Sequence, residues 1–315
     1  MSLFDAYVFI DWSAANRPSL REPTENAVWV GALTLGLHEH PETTYHRTRG
    51  DGVSRVLSVL MGHVEEDRRV LVGFDFPYGY PSGFARALGL PLGPRSWWEV
   101  WAQLARRAQD TPNNVNNRFA VAAELNSIIV GGGQPGPFWG CPPRRVIENL
   151  QRCSPGFPFR AAGGVQLPRL RVVEIPLPKA QETWKLLGIG SVGGQALVGI
   201  PYVHMLRSHC KLTGCSQVWP FETGFTQSPS PDKGPFILHA EIWPGVIAKR
   251  TEGLRTTDPL LIPDQAQVRA TCEWAAELDA RNELGQLFST PNGLNRQQIQ
   301  ICIEEEGWIL GAIQR

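Results

Sequence analysis

Two aspartates end apolar runs in the same way. Asp11 closes AYVFID and Asp75 closes RVLVGFD, each directly before a chain-turning segment. If the two runs are parallel neighbouring strands, about 4.8 Å apart, both carboxylates project from one edge of the sheet. That is the edge where open α/β sheets bind ligands. A third acid, Glu241, lies in the apolar run FILHAEIW, where a bare carboxylate is expensive unless a cation meets it. A metal ion and an arginine of the central segment are both open as that cation. Asp264 follows Pro263 at the head of the clearest helical pattern, with Gln267 three residues on. It serves as a further acid or as half of a capping box.

Acids gathered at one edge repel one another unless cations neutralise them, and an oxygen-only set suits Mg²⁺ or Mn²⁺. Two such ions activate a water and stabilise the leaving oxygen in phosphoryl transfer. Asp11, Asp75, Glu241 and Asp264 are therefore the expected metal ligands and catalytic residues of a phosphodiester hydrolase.

Substrate contacts are sought in two other places. The glycine loop GIGSVGG satisfies G-x-G-x-x-G with Gly188, Gly190 and Gly193, but no acid follows between Leu206 and Val218 to meet a ribose. A phosphate held on its backbone N–H groups, with Ser191, fits better, and close helix packing is the structural alternative. Between Cys141 and Ala180 stand seven basic residues, Arg144 and Arg145 among them, against Glu148 and Glu174. Trp97, Trp98, Trp101, Trp139 and Trp184 fall in or beside this segment. Aromatics with arginines can stack on unpaired bases, although most of these rings are expected to be core. Arg144, Arg145, Trp139, Gly190, Ser191 and Gly193 are the expected substrate-binding residues. His239, two residues before Glu241, shares its strand face.

The elements that must position these groups are readable in outline. Ala6–Asp11 and Ala27–Leu33 form a hairpin, Thr43–Thr48 a third strand, and a helix capped by Asp51 carries Val53, Val56, Leu57 and Leu60 on one face. Arg69–Asp75 is a buried strand, joined to the first by a right-handed crossover. Residues 77–187 form one long insertion rich in Pro, Gly, Trp and Asn, with helices near 97–108 and 118–129, the second preceded by capping asparagines at 113, 114, 116 and 117. A helix through Leu206, which Pro201 starts or kinks, two strands (216–221 and 236–243) and helices at 264–287 and 295–305 complete the chain.

The whole chain bounds the possibilities. Its 315 residues are 42% hydrophobic and 19% charged, with 32 Gly and 26 Pro, a globular composition with much loop. Thirty basic residues balance thirty acidic ones, so no overall field draws long duplex nucleic acid or anionic lipid. A short or single-stranded nucleic acid, or a nucleotide, is the expected partner. The acidic N-terminus, the want of a membrane-length apolar run and six scattered cysteines without CxxC spacing lead us to expect a cytoplasmic protein with reduced thiols.

The order of these features, Asp in strand one, a β-β-β-α-β start, Asp after strand four and an acid opening a late helix, resembles the ribonuclease H-like superfamily. GFDFPYGYP, AEIWPG and the helix with Asp264 are similar to the nucleases grouped as domain of unknown function 429. The resemblance spans about residues 6–77 and 188–287. It implies a mixed five-stranded sheet flanked by helices in a single domain, an insertion at about 78–187, a C-terminal helical extension at about 288–315, and a divalent-metal site on Asp11, Asp75, Glu241 and Asp264. Glu65, Glu66 and Asp67, near the end of the first helix, look solvated and supply no catalytic acid there. Two other readings stay open. One is a non-catalytic ribonuclease H-like binding module, with the acids paired to Arg144, Arg145 or Arg160. The other is an actin-like or sugar-kinase-like phosphotransferase, which needs two copies of the core.

Overall fold

The computed structural model describes residues 2–312. Strand β1 (Ala6–Asp11) pairs antiparallel with β2 (Val28–Thr34), which pairs antiparallel with β3 (Glu42–His46). Helix α1 (Arg49–Glu65) then crosses over to β4 (Arg69–Phe74), which lies parallel to β1. The helix starts earlier than expected. Thr48 is its N-cap, accepting from the Asp51 N–H at 3.2 Å, so Asp51 sits in the first turn instead of capping it.

The insertion holds α2 (Phe84–Ala87), α3 (Ser96–Arg107), α4 (Arg118–Val130) and a small antiparallel pair, β5 (Phe159–Arg160) with β6 (Gln166–Leu167). Helix α5 (Val192–Ser208) runs unbroken through Pro201 and leads to β7 (Ser216–Val218) and β8 (Phe236–Glu241). After β8 come α6 (Ala248–Thr257), α7 (Pro263–Ala280), α8 (Leu284–Phe288) and α9 (Arg296–Ile301). The long helix expected at 264–287 is thus two, parted where Asn282 takes a positive φ of 58°. Asn295 caps α9 in a full capping box with Gln298, and one π-turn carries the helix on to Glu306.

The main sheet has six strands, not five, in the order β3-β2-β1-β4-β8-β7, and only β2 runs against the rest. Its two faces bury different residues. Val8, Ile10, Val70, Val72 and Phe74 meet Val53, Val56 and Leu60 of α1 and the apolar side of α5. Tyr7, Phe9, Leu71, Leu238 and Ala240 meet Cys272, Ala275 and Ala276 of α7. Each such fully buried aliphatic or aromatic side chain contributes about 1.5–3 kcal/mol. Helix α7 comes unusually near the sheet because β2 carries Gly31: a Cβ there would lie 2.9 Å from the Val268 carbonyl oxygen.

The insertion shares its core with the sheet. Trp97, Trp101 and Trp184 are buried, and Trp97 stacks on Phe221 with ring centroids 4.6 Å apart. Its asparagines do not cap α4 through their side chains. Instead they hold the loop that follows β1. Asn114 accepts from the Arg49 N–H at 2.9 Å, and the Asn116 N–H donates to the Asn16 side chain at 2.8 Å. The buried Arg49 guanidinium completes this tie, donating to the Ser13 and Ala15 carbonyls and to Asp110. The insertion therefore covers the carboxyl edge of the sheet.

The C-terminal segment is part of the fold more than an extension. Ile309 forms a parallel bridge with Glu241, and the Leu310 N–H donates to the Glu241 carbonyl at 2.9 Å. Trp308, Ile309 and Leu310 are buried. Among the described residues no helix is long and apolar enough to cross a membrane. All six cysteines are free, with Cys141, Cys272 and Cys302 buried and Cys153 and Cys210 exposed.

Candidate functional site

Asp11 is the last residue of β1, and Asp75 follows the last residue of β4. Because Ile10 is paired with Phe74, the two aspartates stand next to each other at the ends of parallel neighbours, on the face covered by α7. The Trp12 N–H donates to Asp75 Oδ1 at 2.7 Å, which fixes one carboxylate against the strand that bears the other. Helix α7 supplies the lid of this pair. Gln267 Nε2 donates to Asp11 Oδ2 at 2.7 Å and lies 3.5 Å from Asp75 Oδ2.

Asp264, one turn before Gln267, completes the group. Its Oδ2 accepts from the Asn26 N–H at 2.6 Å, so it ties the start of α7 to the entry of β2. The capping-box expectation fails here. Ile262 is the N-cap of α7 with no side-chain bond, and Gln267 turns to the aspartates.

The electrostatics follow from three acids and no cation. Burial, then the Asp75 and Asp264 carboxylates, push Asp11 well above the usual carboxylate range. Burial, then Asp264, raise Asp75 to about 7 against the opposing Trp12 N–H bond. Asp264 is raised as well, by burial, despite backbone bonds from Asn26 and Ala27. No arginine or lysine forms an ion pair with any of the three among the described residues. Carboxylates crowded and shielded in this way either keep a proton or attract an external cation.

Glu241 does not join them. Its register partner in β4 is Phe74, one position short of Asp75, and a one-residue offset reverses the face on which a strand side chain stands. There it meets Arg171, whose two terminal nitrogens donate to Glu241 Oε2 at 2.7 Å and Oε1 at 2.6 Å. The Tyr78 N–H adds a bond to Oε2 at 2.8 Å. Arg171 also binds Glu174 and the Glu306 carbonyl, and all of these groups are buried. Glu241 is thus neutralised by an insertion arginine and saturated with donors. His239, on the same face, is a buried neutral imidazole with Nε2 2.9 Å from Ser216 Oγ, and burial lowers it to about 3.

The expected substrate residues are dispersed. Arg144 and Arg145 are exposed on the insertion. Trp139 is half-buried, donating to Glu182 at 2.9 Å, with the Lys185 ammonium 5.7 Å from its ring centre. Ser191 is the N-cap residue of α5, but its side chain makes no capping bond. Gly190 has φ 72°. Gly193 is there for packing, since a Cβ would lie 2.1 Å from the Thr183 carbonyl oxygen. The α5 start does approach the acidic edge. Val192 lines a small cavity of about 40 Å³ with Asp75, Arg171 and Glu241, and Gln195 Nε2 donates to the Trp12 carbonyl at 2.5 Å. Glu65, Glu66 and Asp67 are exposed.

Three groups that matter here are not evident as site residues from sequence. Gln267 imitates a capping residue, and the Asn26 N–H has no side-chain signature. Arg171 does carry one: it is a basic residue among Leu170, Val172 and Val173 with Glu174 three positions on.

A metal at this edge would be held by Asp11, Asp75 and Asp264. The donor type fits, being all oxygen and short of positive charge. Among the described residues no three His, Cys, Asp or Glu side chains are arranged to hold an ion; Gln267 bonds Asp11 and the Asn26 N–H bonds Asp264. Compared with known proteins, the chain matches no family model, no curated protein and no solved structure.

Proposed function

We propose that the protein hydrolyses a phosphodiester of a nucleic acid or nucleotide, with Mg²⁺ or Mn²⁺ recruited by Asp11, Asp75 and Asp264. One observation carries the reading. Three carboxylates from distant parts of the chain converge at the carboxyl edge of the sheet, Asp11 buried and Asp75 and Asp264 half-buried, without a protein cation. The ion would lower the pKa of water and stabilise the leaving oxygen. The protein's own part is orientation. Trp12 and Asn26 fix Asp75 and Asp264 through backbone N–H groups, and Gln267 sets the angle of Asp11. In the reaction a water oxygen bonds to phosphorus, the phosphorus–oxygen ester bond breaks, and the water's proton leaves for a carboxylate or solvent. The departing oxygen gains a proton in turn. Six unpaired thiols fit a reducing, cytoplasmic setting.

A ribonuclease H-like fold agrees with β3-β2-β1-β4 and with acids on β1, after β4 and on a late helix. The binding-module alternative draws support only from Glu241 and Arg171, since the other three acids have no arginine. The phosphotransferase alternative asks for a repeated core, whereas the described residues hold one large sheet and one two-stranded pair.

Calorimetric titration of Mn²⁺ into wild type, Asp11→Asn and Asp75→Asn tests the reading. Uptake by wild type and its loss in both folded variants supports it. Wild type that takes up no Mn²⁺ at millimolar concentration overturns it.

A further inference from the structure

Beside the acidic group lies a groove of about 630 Å³, a volume within the ~300–1,000 Å³ of clefts that take small ligands. Pro244, Gly245 and Pro263 line one part of it, and the side of α6 bearing Thr251, Glu252 and Arg255 lines another. Gln267 closes the end. That glutamine is the one whose amide bonds Asp11 at 2.7 Å, so whatever fills the groove reaches the carboxylates through it.

The chemistry of the walls selects the occupant. Helix α6 carries Lys249, Arg250 and Arg255 against Glu252. Arg250 is consumed by Glu273 and Glu277 of α7, whereas Arg255 makes no ion pair among the described residues and is exposed. Glu252 lines the same groove without pairing to Arg255, so the unpaired guanidinium is left to meet an anion, and its planar fork suits a phosphate. The hydroxyls of Thr251 and Thr256 donate to the Ile247 and Glu252 carbonyls, so toward the groove they offer acceptor lone pairs, fit for sugar hydroxyls or base amino groups. Pro244, Gly245, Ala248 and Pro263 make part of the lining apolar. At Gly245 a Cβ would fall 2.3 Å from the Trp243 ring, so glycine is required for the backbone to lie on that indole. Anion, hydrogen-bond donors and an apolar body together describe a nucleotide.

We propose that the groove between α6 and the start of α7 binds one unpaired nucleotide unit of the phosphodiester substrate, with Arg255 on a phosphate and Gln267 joining the groove to the acids. The proposal rests on the phosphodiester reading for its chemistry, but its binding site is separate from the carboxylates and can fail or stand alone.

The test uses a fluorescein-labelled single-stranded dT6 and the full chain, with affinity read by anisotropy across a salt series. Mn²⁺ uptake is measured in parallel. Arg255→Gln is expected to weaken dT6 about five- to tenfold and to reduce the salt slope by about 0.7, the value for one lost phosphate contact on a single strand. Its Mn²⁺ heat should match wild type. An Arg144→Gln/Arg145→Gln variant should bind dT6 as wild type does. If that double variant loses dT6 while Arg255→Gln keeps it, the strand lies on the insertion and the groove proposal is overturned. Wild type that takes up Mn²⁺ but not dT6 also overturns it, leaving the phosphodiester reading in place for another ester. Arg255-dependent dT6 binding without Mn²⁺ uptake supports the groove and removes the metal chemistry.

Discussion

The amide of Gln267 stands 2.7 Å from a carboxylate oxygen of Asp11, so a side chain from the first turns of α7 holds the end of β1. It is the acids' only side-chain donor in the described structure, and it also stands where a cation would be drawn. Gln267→Leu removes the bond without adding charge. A buried carboxylate that loses its partner costs about 1–3 kcal/mol, so denaturant unfolding at pH 8 should show a loss of that size. As the pH falls and Asp11, held above the usual carboxylate range, takes up a proton, the loss should shrink.

The pH dependence of the metal-free protein has a fixed sign. Folded Asp75 titrates near 7, whereas 3.8 is its ordinary value, so between those limits the folded state binds more protons than the unfolded one. Stability from this group is full below about pH 4 and falls as pH rises through 7. Asp75→Asn abolishes the effect while keeping an acceptor for the Trp12 N–H. We expect its melting temperature in EDTA to exceed wild type at pH 8 by about 2–4 °C per kcal/mol relieved, and to match it at pH 4. Added Mn²⁺ reverses the order at pH 8, because ligand at a hundred times its Kd stabilises wild type by about 2.7 kcal/mol and the variant not at all.

Glu241 separates a structural acid from the proposed ligands. Arg171→Met leaves Glu241 and Glu174 buried without their cation, a change that costs about 3–5 kcal/mol in other buried pairs. Glu241→Gln should keep the Mn²⁺ heat that Asp11→Asn loses. Calorimetry on the two folded variants, side by side, decides which acids belong to the site.

Gly31 sets how near α7 comes to the sheet. Any Cβ there meets the Val268 carbonyl oxygen at 2.9 Å, and backbone cannot swing aside as a side chain can. Gly31→Ala is expected to cost about 1–3 kcal/mol, the usual penalty of overpacking. It should also weaken Mn²⁺ uptake, because the same helix carries Asp264 and Gln267. Unchanged uptake would show that the acids tolerate the shift.

The strands were legible where an apolar run ended in turn chemistry. AYVFID and RVLVGFD carry their length, partner and edge in the sequence, and the convergence of Asp11 and Asp75 follows from them. Asp264 was legible as a candidate because it heads an amphipathic helix. Glu241 was misplaced for a reason of parity: strand position is evident from composition, but a register offset of one residue, which decides the face, is set by tertiary pairing. Its cation is likewise a long-range contact, from Arg171, and spacing cannot distinguish one insertion arginine from another. The caps failed for the same cause. Thr48 and Asp51 both suit an N-cap, and Gln267 suits a capping box until a buried carboxylate offers it a stronger bond.

The sheet's connectivity also sets an order of assembly during synthesis. Strand β4 finds β1 early, but its other edge waits for β8, where Arg69 is paired with Phe236. Until that segment emerges from the ribosome, β4 presents an open, apolar edge, the kind of surface on which nascent chains stick to one another. Asp11 and Asp75 emerge early and Asp264 late, so the carboxylate triad is assembled only after the last central strand is in place. Chains stopped before residue 241 should therefore need a chaperone to stay in solution.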